Sequence, residues 1–276
     1  KNMEQISSLF NIKERVVIIT GGGGIIGGAL AKGFVSAGAK VILLGRTEAP
    51  LKNQVDALKT NENEITSFQC DVLDRERLIQ VNDEILDRFG RIDVLINAAG
   101  GNMPGATIGV DQNIFDLDMD AFKKVTDLNL NGTVLPTLVF AKSMAENSRG
   151  SIINISSMAS VRAITRVAGY SAAKAAIDNF TRWMAVELAS KFGSGLRINA
   201  IAPGFLLTNQ NRQLLTNEDG SLTERGKSII SLTPFKRFGE PEEMVGPVIW
   251  LASDASAFVT GAIIPIDGGF SSFSGV

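Results

Sequence analysis

Six short runs of β-branched and aliphatic residues recur along this chain, at 16–19, 41–44, 94–96, 152–155, 198–201 and 263–266, and each is almost wholly apolar. Continuous apolar runs of this kind suit strands covered on both faces, whereas a sheet with one wet face would alternate apolar and polar residues. Between the early runs the pattern changes to a helical period, as in Ile26, Leu30 and Phe34 ahead of Ala37-Gly38. Strands and helices in alternation predict an α/β fold built on a parallel, doubly wound sheet. No internal repeat, low-complexity stretch or Pro/Ser-rich linker divides the chain, so one domain is expected over residues 1–276. Segments 101–120 and 205–237 break the rhythm. Long connections at the carboxyl ends of parallel strands are where open α/β sheets hold ligands, so both are candidate substrate loops.

Composition narrows the chemistry. The chain has no His, one Cys and one Tyr. Without imidazole there is no Ser-His-Asp or Cys-His hydrolase and no zinc site that needs histidine. A lone cysteine forms neither an intrachain disulfide nor a thiolate cluster, and no charged stub precedes an apolar stretch at the start, so a reducing, cytoplasmic setting is expected. With 27 basic and 29 acidic residues dispersed along the sequence, no like-charge block points to nucleic acid or a lipid surface. Every apolar run is broken well before the length of about 18 residues that would span a bilayer. The alternation Asp116, Asp118, Asp120 resembles a calcium loop, but Ala121 stands where the loop needs glycine, so no metal is expected and these acids are read as helix caps. The sequons beginning at Asn131 and Asn154 fall in a predicted helix and a predicted buried strand, and Cys70 closes another predicted strand.

The first strand runs straight into Thr20-Gly21-Gly22-Gly23-Gly24-Ile25-Ile26-Gly27-Gly28, after which a helix begins. Lacking side chains, such a turn lets the backbone approach a pyrophosphate and present N–H groups at the positive end of the helix dipole. The spacing alone is a weak signal, but strand before and helix after is the context a dinucleotide needs. The second strand ends in Gly45-Arg46, where a site of this type reads the adenosine ribose. A carboxylate there would favour NAD. Gly45 and Arg46 instead leave room and positive charge for a 2′-phosphate, so NADP(H) is favoured over NAD(H), unless Arg46 is simply a solvated loop cation.

Tyr170 precedes Lys174 by one helical turn at the head of an apolar-striped helix with Ile177, Phe180, Met184 and Leu188. A phenol with a reference pKa of about 10 needs roughly 4 kcal/mol of anion stabilisation to act as a base near neutrality, part of which an adjacent ammonium supplies. In carbonyl reduction the neutral phenol would instead be the proton donor. Taken alone, the pair is equally compatible with an ordinary tyrosine beside a solvated lysine. Ser157, thirteen residues earlier and just past an apolar strand, adds the third element.

At this point the chain resembles the short-chain dehydrogenase/reductase family in its single-domain form. The match runs over nearly the whole sequence: Thr20-Gly21 opening the loop, Asp71-Val72, Asn97-Ala98-Ala99-Gly100, Asn129, Ser157, Tyr170 and Lys174, Pro203-Gly204 with Thr208, and Asp267-Gly268-Gly269. One departure is Ile25, where the family pattern has glycine. The resemblance implies a three-layer α/β/α Rossmann fold with about seven strands. It implies Tyr170 as acid/base, Ser157 orienting the substrate oxygen, Lys174 holding the nicotinamide ribose, and Asn129 linking Lys174 to solvent through water. The same resemblance assigns the cofactor to Gly21, Gly23, Gly24, Ile26, Gly27, Arg46, Asp71, Val72, Asn97, Ala98, Gly100, Tyr170, Lys174, Pro203, Gly204, Leu206 and Thr208, and it implies a homo-tetramer or homodimer.

Arg162 and Arg166 lie between Ser157 and Tyr170, and Asn209, Gln210, Asn211, Arg212 and Gln213 follow Thr208. A pocket edged in this way is polar and suits a polyhydroxylated, carboxylated substrate, with Asn102, Ser157, Arg162 and Arg212 as candidate contacts. Both earlier arginines are equally compatible with solvent or a subunit partner. Within the family the polar late loop and glycine-rich turn are similar to those of enzymes acting on sugar acids of the D-mannonate/D-fructuronate type. A 3-oxoacyl thioester or simple ketone is the alternative substrate, and a non-catalytic nucleotide-sensing module the alternative function.

Overall fold

The computed structural model describes residues 2–208 and 211–275. The apolar runs form six of seven strands: β1 (Val16–Thr20), β2 (Lys40–Gly45), β4 (Val94–Asn97), β5 (Gly150–Ile155), β6 (Leu196–Pro203) and β7 (Ile263–Ile266), with β3 (Ile65–Gln69) as the other. Every pairing is parallel, in the order β3-β2-β1-β4-β5-β6-β7. The connecting helices are α1 (Asn2–Leu9), α2 (Ile25–Ser36), α3 (Glu48–Leu58), α4 (Arg75–Phe89), α5 (Met119–Thr126), α6 (Gly132–Glu146), α7 (Ala168–Phe192), α8 (Arg212–Leu215), α9 (Glu224–Leu232) and α10 (Val245–Ala252). Among the described residues no helix is long and apolar enough to cross a membrane.

The doubly apolar strands have a direct cause in the packing. Val17, Ile19, Val41, Leu43, Val94 and Ile96 pack with Leu30 and Phe34 of α2 and Val248 and Leu251 of α10 on one face. Val16, Ile18, Ile42, Leu44, Leu95 and Ile152 pack with Leu78 of α4, Phe140 of α6 and Leu188 of α7 on the other. Neighbours along each strand thus serve opposite cores, and truncating a ring such as Phe140 would cost about 3–5 kcal/mol. Strand order reverses beside β1, whose two neighbours are β2 and β4. The carboxyl ends of β1 and β4 therefore diverge into a crevice, the usual ligand position in such sheets.

The two long connections contain more structure than the sequence pattern predicts. Segment 101–120 holds two short 3₁₀ turns, Pro104–Ala106 and Ile114–Asp116, and ends where Asp118 caps α5 by accepting from the Asp120 and Ala121 N–H groups at 2.8 and 3.1 Å. Segment 205–237 is no open loop, for it carries α8 and α9. Thr223 caps α9 by accepting from Gly226 N–H at 3.1 Å, and Ile229 is buried on its inner face. Helices this short have too few turns for a periodic pattern to stand out.

Candidate active site

β1 ends at Thr20, and the turn at 21–24 passes directly into α2. Gly24 supplies no side-chain cap, so the first N–H groups of α2 face the crevice without an intrahelical partner. Gly21 holds φ 65°, and a Cβ there would come within 2.8 Å of the Ala98 carbonyl oxygen. A Cβ on Gly23 would press on Pro50 at 2.8 Å, and one on Gly27 would strike the Gly21 carbonyl. Thr20 Oγ1 accepts from Ala98 and Ala99 N–H, both at 3.1 Å, tying the β1 exit to the β4 exit. This tightly packed turn, bare of side chains and followed by the uncapped first N–H groups of α2, fits a pyrophosphate. Ile25 is the first residue of α2 rather than part of the turn, and Ile26 follows half-buried in the same helical turn.

Arg46 lies just past β2, exposed, and its guanidinium is unpaired among the described residues, while its carbonyl accepts from Gln69 Nε2 at 2.8 Å. Asp71 Oδ1 accepts from Leu73 N–H at 3.0 Å in the turn after β3. Val72 is buried and closes over Gly132 at the head of α6. Asn97 ends β4 and donates through Nδ2 to Thr137 Oγ1 and Asn154 Oδ1, each at 2.9 Å, leaving its own Oδ1 buried without a partner. Asn154 donates in turn to Thr181 Oγ1 at 2.9 Å, so a buried polar chain braces β4, β5, α6 and α7 beneath the crevice. Pro203 ends β6, Gly204 N–H donates to the Ile266 carbonyl at 2.9 Å, and Leu206 bridges in parallel to Gly239. Thr208 N–H donates to Asn211 Oδ1 at 2.8 Å.

The candidate catalytic residues converge at the carboxyl end of β5. Ser157 follows that strand and caps a short turn by accepting from Ala159 N–H at 3.1 Å. Tyr170, in the first turn of α7, lies on the Ser157 side of the site; burial pushes its phenol above the ordinary tyrosine value, while the Ser157 side chain pulls the other way. Lys174 is 4% exposed, donates from Nζ to the Ile155 carbonyl at 2.7 Å, and stands 5.5 Å from the centre of the Tyr170 ring. Burial drags its ammonium down to about 8, and the charge of Asp178 opposes that fall. Asn129 sits in a π-turn, Asp127–Asn131, where the helix from α5 to α6 widens, a distortion common at functional sites. Its Oδ1 accepts from Gly101 N–H at 3.0 Å, and its Nδ2 donates to the Gly101 and Val125 carbonyls, both at 2.8 Å. Gly100 separates Asn129 from Lys174 at φ 153°, and a Cβ there would lie 2.7 Å from Asn129 Oδ1 and 3.5 Å from Lys174 Nζ.

One residue that the sequence reading does not single out completes this corner. Asp178 is 3% exposed, one turn beyond Lys174, and accepts a short hydrogen bond from Ser156 Oγ. A carboxylate within the buried stripe Lys174, Asp178, Thr181, Ala185 and Leu188 is the signal that would have found it. Cys70, just past the edge strand β3 and away from this corner, is buried, and desolvation raises its thiol to about 11, which keeps it out of nucleophilic chemistry.

The candidate substrate residues divide. Arg162 donates through Nε and Nη2 to the Ser271 carbonyl, and Arg166 through Nε to the Ile108 carbonyl at 2.6 Å, so both guanidiniums fasten loops. Asn102 Nδ2 donates to Thr107 Oγ1 at 2.6 Å. Asn211 Nδ2 donates to the Leu206 carbonyl at 2.8 Å. Arg212 and Gln213 are exposed on α8, with the Arg212 guanidinium unpaired among the described residues, and Asn209 and Gln210 lie outside them. The tail after β7 folds back over this side, with Phe270 edge-on to Phe205 at 5.3 Å.

Comparison with known proteins agrees with this architecture. A family model described as enoyl-(acyl carrier protein) reductase matches residues 24–271. The uncharacterized oxidoreductase UxuB of Bacillus subtilis is 43% identical over 275 residues, spanning 96% of this chain and 98% of its own. A crystal structure of a protein from Haemophilus influenza, provisionally assigned as a D-mannonate oxidoreductase and holding NAD, superposes with a TM-score of 0.90 at 40% identity, over 98% of this chain and 100% of that one. A protein from Beutenbergia cavernae, provisionally assigned as an NAD(P)-dependent gluconate 5-dehydrogenase with NADP at low occupancy, superposes with a TM-score of 0.82 at 32% identity, over 96% and 99% of the two chains. The glycine cradle, the Ser157, Tyr170 and Lys174 cluster and these relatives together make the chain a member of the short-chain dehydrogenase/reductase family, an NAD(P)-dependent oxidoreductase of alcohol and keto groups.

Proposed function

We propose that the protein reduces the keto group of a sugar acid, of the D-fructuronate/D-mannonate type, to a secondary alcohol, with NADPH preferred to NADH. The observation that carries the chemistry is the meeting of Ser157, Tyr170 and Lys174 at the sheet edge beside the glycine turn. A bound nicotinamide dinucleotide supplies the hydride that adds to the carbonyl carbon. Tyr170 gives its hydroxyl proton to the carbonyl oxygen, so that one hydride and one proton add across the C=O bond. Ser157 holds that oxygen by a hydrogen bond. Lys174 holds the nicotinamide ribose, and the Tyr170 phenolate regains its proton from solvent by way of Lys174 and Asn129. Burial keeps the Tyr170 phenol protonated at neutral pH, which suits the reductive direction.

Four features support the finer parts of this reading. Arg46, unpaired at the end of β2, offers a cation to a 2′-phosphate. The solved relatives assigned to sugar acids, together with the Arg212 guanidinium, unpaired among the described residues, on the 205–237 segment and Asn102 on the 101–120 segment, support a carboxylated polyol. Trp183 and Val186 stand out from the tyrosine-bearing helix α7 at 61% and 68% exposure, which suits pairing with a second copy in a homo-tetramer or homodimer. A cytoplasmic setting goes with the lone reduced cysteine.

The test follows reduced-cofactor absorbance with fructuronate, using NADPH and NADH in turn. Wild type turns over, Tyr170→Phe loses about 10²- to 10⁴-fold, and Arg46→Ala cuts the NADPH preference roughly tenfold. Silence with both cofactors removes the sugar-acid substrate, and equal rates with the two remove the role of Arg46.

A further inference from the structure

After β4 the chain leaves the carboxyl end of the sheet and rejoins a long helix only at α5. Among the described residues, hydrogen bonds tie the stretch 101–117 to the rest of the protein at Gly101 and at Ile108. Gly101 gives its N–H to Asn129 Oδ1 at 3.0 Å and takes Asn129 Nδ2 on its carbonyl at 2.8 Å. Ile108 gives its N–H to the Arg166 carbonyl at 3.0 Å and takes Arg166 Nε on its own carbonyl at 2.6 Å. Each attachment is a reciprocal clasp on a single residue. One of those residues borders Lys174 across Gly100, and the other stands four places ahead of Tyr170.

Between the clasps the chain is braced on itself. Asn102 Nδ2 donates to Thr107 Oγ1 at 2.6 Å, Ala106 N–H donates to the Met103 carbonyl at 3.0 Å, and Ala106 is buried. Beyond Ile108 the bonds are local too, with Gly109 N–H on Gln112 Oε1 at 2.6 Å and Phe115 N–H on Asn113 Oδ1 at 2.9 Å. There, however, Val110 and Phe115 are 83% and 94% exposed. The segment therefore divides at Ile108 into a floor, 101–108, held at both ends, and an outer arm.

Arg166 holds φ 74°, a left-handed conformation that a side chain with a Cβ seldom takes. With the backbone turned in this way, its carbonyl and its Nε both meet Ile108. Strain of this kind persists where the surroundings enforce it, which is common beside working sites. Tyr170 is seated independently of the clasp. A Cβ on the adjacent Gly169 would come within 2.8 Å of Val125 and 2.9 Å of Phe122, so α7 lies tight against α5, and Lys174 ties the next turn to the Ile155 carbonyl at 2.7 Å.

We propose that Arg166 is a positioning residue for substrate: through Ile108 it holds the 101–108 floor beside the catalytic corner, and so it governs substrate capture while leaving hydride and proton transfer alone. The proposal rests on 101–120 as a substrate segment of the reductase, and it assigns the effect of Arg166 to its donor rather than to its charge.

Two variants separate donor from charge. Along the side chain, the amide nitrogen of glutamine occupies the place of arginine Nε, so Arg166→Gln keeps the donor and removes the charge, whereas Arg166→Met keeps the length and has neither. With fructuronate and reduced cofactor, Arg166→Met is expected to raise the substrate KM about tenfold with kcat and the cofactor KM nearly unchanged, and Arg166→Gln to stay within about threefold of wild type. Amide hydrogen exchange on the free enzyme reads the clasp without substrate. Exchange at Ile108 is expected to quicken about tenfold in Arg166→Met and to stay near wild type in Arg166→Gln. Equal rises in KM in the two variants would assign the effect to the charge acting on an anionic substrate and overturn the proposal. So would a fall in kcat at constant KM, or exchange at Ile108 indifferent to Arg166→Met. If fructuronate is not reduced, the sugar-acid reading fails alone, because the exchange measurement still judges the clasp and the KM comparison moves to whichever carbonyl compound the Tyr170-dependent enzyme does reduce.

Discussion

The two ends of the sheet each bury a cation, and they treat it differently. At the amino end, Arg197 is 7% exposed and donates to four acceptors: Ser256 Oγ at 3.0 Å and the carbonyls of Val259, Leu251 and Ser253 at 3.3, 3.0 and 3.1 Å. Two of those carbonyls belong to the last turn and exit of α10, where the helix dipole is negative. Arg15 adds a bond to the Ala252 carbonyl at 2.6 Å and pairs with Asp254, which also meets Arg149. At the carboxyl end, Lys174 has three N–H donors and gives one hydrogen bond to protein, to Ile155. The saturated cation closes a helix end. The under-satisfied one keeps donors unused among the described residues and titrates within reach of neutral pH, which suits the role proposed for it.

Replacing each cation with methionine breaks the comparison if it is wrong. Lys174→Met is expected to lower turnover by about 10²-fold or more, on the scale of a lost acid/base partner, while the folded state holds or gains stability because an expensive buried charge has gone. Arg197→Met is expected to do the reverse. Orphaned carbonyls at the end of α10 would cost roughly 3 kcal/mol, or about 6–12 °C in Tm, with kcat preserved in the folded fraction. Thermal melts and initial rates on the two variants read both effects, and a stability loss in Lys174→Met equal to that in Arg197→Met would erase the distinction.

The sequence showed this division unevenly. Six strands were legible because burial on both faces leaves their runs almost wholly apolar, whereas the edge strand β3, with Thr66, Ser67 and Gln69, carries no such run; the glycine turn was legible because its composition follows directly from what must approach it. Tyr170, Lys174 and Ser157 were legible through spacing and family resemblance together. The π-turn at Asp127–Asn131 was not, since its residues continue the helical pattern and a one-residue widening leaves no compositional trace. The α8 and α9 helices were hidden for want of length. Arg162 and Arg166 read as pocket cations, but backbone carbonyls of loops remote in sequence, Ser271 and Ile108, take their guanidiniums. A partner that distant cannot be read from local pattern.

The pH dependence of stability sharpens the same comparison at a smaller scale. Lys174 titrates at about 8 when folded against 10.5 as a free side chain. Below pH 8 both states are protonated and the folded state bears the whole cost of the buried charge. Between pH 8 and 10.5 the unfolded chain binds more protons, so this group makes the protein more stable as pH rises, by at most about 1.4 kcal/mol per unit. Tyr170, raised above 10 by burial, works the other way beyond that point, because the unfolded chain then loses its proton first. The Tyr170 contribution is common to wild type and Lys174→Met, so the difference in their unfolding free energies should climb from pH 8 and flatten near pH 10.5. Arg197→Met should run parallel to wild type over this range, since a guanidinium stays charged throughout. A flat difference for Lys174→Met would mean that the buried ammonium carries no such penalty.

Arg162 lies between these extremes and gives the smallest effect. Its guanidinium is exposed, yet it reaches across to the Ser271 carbonyl and so ties the turn after Ser157 to the tail that brings Phe270 against Phe205. Asp267 holds the same tail from its other end by accepting from Gly269 and Ser271 N–H at 2.9 and 2.7 Å. Losing one solvent-exposed bond from a charged donor costs stability only about 1 kcal/mol or less. The tail nevertheless packs on Phe205 at the start of the 205–237 segment, a candidate substrate loop, and an arm that orders such a segment acts on substrate capture more than on the chemical step. Arg162→Ala is therefore expected to raise KM several-fold with kcat nearly unchanged, the opposite split from Lys174→Met. A fall in kcat with KM unchanged would instead mean that Arg162 acts on the reacting groups, and the contrast between loop-fastening and working cations would have to be redrawn on this side of the sheet.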